Sequence, residues 1–121
     1  MPAGLRTVTP FLHAVDAAAF IEFLKRALGA EEEARHESGG IVRHAQLRIG
    51  NGVIELGEAE GRAQPMASTF YLYVGDTDAL YGQAIAAGAK SLAPPADQWY
   101  GDRVASIEDP QGNRGFIARP A

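Results

Sequence analysis

The chain has 121 residues, 46% hydrophobic and 21% charged, which is one domain's length with an ordinary globular balance and excludes a disordered chain. No cysteine is present, so disulfides, cysteine–zinc sites, iron–sulfur clusters and a thiol nucleophile are ruled out. With 15 acids, 11 bases, a net charge of -4 and 3 histidines, nucleic acid and anionic membrane are not expected partners, and any metal site must lean on carboxylates.

Residues 1–6 lack the basic start and apolar core of a signal peptide, and the longest apolar stretch, 17–21, is far short of a membrane span, so a cytoplasmic location is expected. A strand is predicted over 7–14. A helix follows, capped by Asp16, carrying Phe20, Ile21, Phe23, Leu24, Ala27 and Leu28 at helical spacing and stopped by Gly29. Strands are predicted over 31–36, 41–49 and 53–57, broken by Gly39-Gly40 and by Gly50-Asn51-Gly52, whose Asn-Gly pair signals a hairpin. Residues 58–66 read as a linker. The order then repeats. A strand over 68–74 precedes a helix from Asp76 or Thr77, with Leu80, Ala84 and Ala87 at helical spacing and Gly88 as its end. Strands over 90–93, 103–108 and 114–118 follow, separated by Pro94-Pro95 and by Asp109-Pro110-Gln111-Gly112-Asn113. Val15 and Gly29 recur 59 positions later as Val74 and Gly88. The chain is therefore expected to be a single α+β domain of two βαβββ modules, about 5–57 and 67–119.

The run Ala14-Val15-Asp16 leading into Phe20-Ile21-Glu22-Phe23-Leu24-Lys25-Arg26-Ala27-Leu28-Gly29-Ala30, with Gly52-Val53-Ile54-Glu55-Leu56 and the late Asp109–Asn113 loop, resembles the vicinal oxygen chelate superfamily of glyoxalase I, bleomycin-resistance proteins and extradiol dioxygenases. The strand from His44 to Gly50 and the run Trp99-Tyr100-Gly101-Asp102-Arg103 resemble its PhnB-like subgroup. The resemblance implies helices outside, concave sheets around a cavity, and a tendency to dimerise, so a homodimer is expected. Metal-dependent members draw ligands from the first and last strands of each module. Here those positions fall on or near Thr9, Thr69, Glu55 and Phe116. Only Glu55 is a good ligand, so no metal or other cofactor is expected. A facial set of His13, His44 and Glu55 is the alternative that would hold a divalent ion.

Strand parity places Phe11 and His13 on one face, with Thr9, and likewise His44 with Gln46, Glu55, and Thr69 with Tyr71 and Tyr73. Together with Phe116 these residues are expected to line an aromatic cavity for a small molecule. Trp99 and Tyr100 would stack a planar ligand, with Arg103 meeting a carboxylate or phosphate. Glu55 or His44 would serve as base in the alternative, a lyase or isomerase. The structural counterparts are a Glu55 ion pair with Arg43, Arg48 or Arg103, a His44 bonded to a neighbouring acid, a His13 bonded at the helix cap, a solvated loop His36, an Asp102–Arg103 pair and a core simply filled by aromatics, which would leave a structural or assembly role.

Overall fold

The computed structural model describes residues 5–121. The elements are β1 (Phe11–Ala14), α1 (Ala17–Leu28), β2 (Glu31–Ser38), β3 (Ile41–Ile49), β4 (Gly52–Glu58), β5 (Thr69–Tyr73), α2 (Thr77–Ala86), β6 (Lys90–Asp97), β7 (Asp102–Glu108) and β8 (Arg114–Pro120). They divide between two compact units, the second beginning at Ala67 and also taking in Arg26–Leu28. Each unit holds one four-stranded mixed sheet, ordered β1-β4-β3-β2 and β5-β8-β7-β6. In each, the first strand runs parallel to the last and the remaining pairs are antiparallel. Both sheets are open, so neither closes into a barrel.

The first helix is set by its two ends. Asp16 accepts from the Ala19 amide, and Gly29 closes the other end at φ 68°, a left-handed conformation that a residue without a Cβ adopts freely. Between them Ala17, Phe20, Ile21, Phe23, Leu24 and Ala27 are buried. Each large apolar side chain of this kind contributes roughly 1.5–3 kcal/mol. The second helix is weaker in apolar content. It buries Thr77 and Ala84 and lies against β6, β7 and β8. The Thr77 hydroxyl donates to the Arg103 carbonyl at 3.0 Å, so a buried polar group is satisfied where helix meets sheet.

Along β3 alternation decides which residues are buried, whereas β7 and β8 bury consecutive residues and so both faces. Ala45, Leu47 and Leu56 are buried in the first unit, and Val104, Ala105, Ile107, Ile117 and Ala118 in the second. Two expected boundaries move farthest. The first strand begins at Phe11 rather than residue 7, leaving Val8 82% exposed. Pro10 has no amide to donate, and its carbonyl makes the last contact, accepting from Glu55 at 2.9 Å. The sixth strand runs on through Pro94-Pro95, where a break was expected. It is the outer strand of its sheet, with irregular pairing between Ala93 and Ala96, which is where prolines are tolerated.

Candidate functional site

In the first unit one sheet face carries aromatic and titratable side chains together. Phe11 pairs with Glu55, and His13 pairs with Gly57. The Phe11 ring stands 5.1 Å from His13 at 49° and is stacked on His44 at 5.7 Å. His44 in turn is paired with His36 across β2 and β3, their rings 6.0 Å apart. His44 Nε2 lies 3.2 Å from Glu55 Oε1. The Glu55 side chain is 18% exposed and that of His44 39%, so the carboxylate is the more sheltered partner. The two side chains stand within ion-pair range of each other on one sheet face. Gln46, the β3 partner of Glu55, donates to Glu33. Thr9 lies off the face. Its hydroxyl contacts the Arg6 carbonyl, and it lines a shallow depression with Arg6, Val8 and Asn51–Val53.

The second unit repeats the aromatic pair. Tyr71 and Tyr73 stand 5.1 Å apart at 48°, and Tyr71 is 5.6 Å from Phe116, its partner on β8. Both phenols donate to Asp102 Oδ2, at 3.2 and 3.4 Å. Desolvation, followed by hydrogen bonding with Tyr100 and Asp102, pushes the Tyr71 phenol well above its ordinary range. Thr69 is exposed at the start of the strand, paired with Arg114. At the tip between β6 and β7, Trp99 is 94% exposed and packs edge-on against Tyr100 at 5.4 Å. Arg103 is fully engaged. It donates to both oxygens of Asp78 at 2.8 and 3.0 Å and to Asp97 at 3.1 Å, bonds that hold its guanidinium firmly protonated.

Several expected pairings therefore change. Glu55 meets His44 rather than an arginine, since Arg43 pairs with Glu60, Arg48 with Glu33 and Arg103 with Asp78. His36 is a strand residue rather than a loop residue, because β2 extends to Ser38. His13 meets Phe11, which shares its face by the strand period of two. Arg103 does not pair with Asp102, because adjacent strand residues point to opposite faces. Sequence reasoning placed Asp102 only as a partner of Arg103 and did not single out Gly57. Asp102 shares the parity of Val104 and Ser106, and extending β7 by one residue would have found it.

The residues do not fit a bound divalent ion. The first- and last-strand pairs are Phe11 with Glu55 and Tyr71 with Phe116, and among these only Glu55 is a strong oxygen donor. The Tyr71 hydroxyl, held protonated, is committed to Asp102. His13, His44 and Glu55 do not form a facial set, and among the described residues no group of three His, Asp or Glu side chains could hold a metal.

A family model described as the Glyoxalase/Bleomycin resistance protein/Dioxygenase superfamily matches residues 8–114. An uncharacterised protein of Mycobacterium bovis is 31% identical over 125 residues, covering 93% of this chain and 82% of the relative. The crystal structure of TioX from Micromonospora sp. ML1 superposes with a TM-score of 0.81 at 23% identity, covering 96% of this chain and 97% of that one. A glyoxalase-related enzyme from Fulvimarina pelagi gives 0.75 at 18% identity, with 95% and 88% covered. At these identities the two structures speak to the fold.

Proposed function

Because this chain belongs to the glyoxalase/bleomycin resistance protein/dioxygenase superfamily, we propose that it is a metal-independent small-molecule binder of the resistance or sequestration type, within the PhnB-like subgroup. The observation that carries the reading is the repeated aromatic pair. Phe11–His13 and Tyr71–Tyr73 share one spacing and one tilt, 5.1 Å at 49° and 48°. Such faces give planar ligands a rigid apolar surface at little entropic cost. The binder works as a cytoplasmic homodimer, without nucleic acid or membrane, and light scattering should return twice the mass of one chain. Among the described residues no helix is long and apolar enough to cross a membrane.

Trp99 fluorescence, titrated with a panel of planar aromatic and glycopeptide ligands, tests the reading. Saturable binding is expected, and Tyr71→Ala should weaken it about tenfold, or about 1.4 kcal/mol. A panel in which nothing saturates sinks it. Elemental analysis of protein purified without chelator should find no stoichiometric divalent ion, and one lost in Glu55→Gln would overturn metal independence.

The 3.2 Å contact between His44 and Glu55 favours a second reading, a lyase or isomerase. Glu55 would take a proton from bound substrate and His44 would hold the carboxylate in place and pass the proton on. In that case Glu55→Gln abolishes turnover while ligand affinity survives.

A further inference from the structure

The charged residue beside the tyrosines of the second sheet face is an acid, Asp102, although the sequence pointed to the base next to it. Arg103 is occupied by Asp78 and Asp97. Asp102 is not so neutralised. Among the described residues the ion pairs join other groups, and its contacts are the two phenol donors. Two hydroxyl donors on Oδ2 spread a carboxylate's charge without cancelling it, and leave acceptor sites on the other oxygen. Tyr71 keeps its proton and so adds no negative charge beside Asp102.

The surroundings suit the opposite charge. Tyr71, Tyr73 and Tyr100 are 44%, 69% and 51% exposed, so solvent reaches all three residues. Ala118 pairs with Tyr73 on one side and Val104 on the other. Its small side chain leaves both phenols room to cross β8 and reach Asp102. The same face already holds one cation, since the Arg114 guanidinium stands 6.0 Å over the Phe116 ring.

We propose that this cluster recognises an organic cation, a substituted ammonium group, with Asp102 as counter-charge and the rings of Tyr71, Tyr73 and Tyr100 as its π faces. The proposal rests on the small-molecule-binding reading above and names the ligand's chemical class. A substituted ammonium spreads its charge over methyl or methylene groups that pack on ring faces, which an inorganic cation cannot do.

The full chain is titrated with three probes sharing a phenyl ring: benzyltrimethylammonium, benzyl alcohol and phenylacetate. Ring-proton shifts of Tyr71 and Tyr73 report binding. The cation should saturate about tenfold more tightly than the other two, and added salt should weaken it. Asp102→Asn should lose that advantage while leaving benzyl alcohol unchanged. Tyr73→Phe keeps the ring and frees the carboxylate of one donor, so it should hold or improve cation affinity. Equal affinities, a preference for phenylacetate, or a Tyr73→Phe variant with much weaker cation binding would overturn the cation assignment and leave small-molecule binding standing. If no probe saturates, the cation assignment fails, and small-molecule binding stands or falls on the Trp99 titration of the wider ligand panel.

Discussion

Position 57 shows how much one residue determines at this site. Gly57 lies beside His13 on β1, and a Cβ there would collide with the Arg43 backbone carbonyl and come within 3.4 Å of the Phe11 ring. A carbonyl in a paired strand cannot swing aside as a flexible side chain would. Gly57→Ala should therefore destabilise the fold by about 2 kcal/mol or more and displace Phe11 from His44. Urea unfolding checks the first effect and ligand titration the second, and a wild-type urea midpoint would contradict the clash. Strand parity was enough to put Phe11, His13, His44 and Glu55 on one face, because side chains alternate with a period of two. It could not say that Glu55 meets His44. That contact depends on the register between β3 and β4, and three arginines offered equally good partners on charge alone.

The first helix makes the same point one level up. Its apolar spacing and both end residues were legible in the sequence. Asp16 nevertheless caps from a left-handed backbone, φ 60°, through a long 3.3 Å bond. The stronger cap comes from Glu58, whose two carboxylate oxygens accept the Asp16 and Ala17 amides at 2.9 and 2.8 Å. A carboxylate there also meets the positive end of the helix dipole. Glu58→Ala should cost about 1–2 kcal/mol, Glu58→Gln less, and Asp16→Gly little, since relief of the left-handed strain offsets the weak bond. Thermal unfolding of the three variants ranks them, and a larger loss from Asp16→Gly than from Glu58→Ala would reverse this account. Read in sequence, Glu58 belonged to a linker. Only the pairing of β1 with β4 brings it beside a helix start 42 residues away.

At the scale of the whole molecule, ionisation couples these pieces to pH. Hydrogen bonds from Arg35 and then Lys25 hold Glu32 below the usual carboxylate range, and Arg48 does the same for Glu33 and Arg103 for Asp78. Carboxyls depressed in the folded state contribute stability above their ordinary values and lose it as pH falls through the folded ones. Asp109 runs the other way. Burial raises its carboxyl despite bonds from Asn113 and Gln111, so its charged form weighs against folding until it is protonated. With three depressed groups against one raised, Tm should fall as pH drops from about 6 to about 3, and Glu32→Gln should flatten the fall. A Tm unchanged over that range would refute the balance. The sequence by itself determined the α+β class, the doubled strand–helix–three-strand order, the helix limits to within two residues and which residues share a face on the first, third, fourth and fifth strands. These follow from local signals such as caps, turn glycines and hydrophobic period, which act over a few residues. The tertiary structure alone decided the partners: Glu55 with His44, Glu58 with α1, Arg103 with Asp78, and Asp102 with the two tyrosines. Each joins residues distant in the chain, and such contacts depend on how strands register and which edges meet, which no local preference encodes.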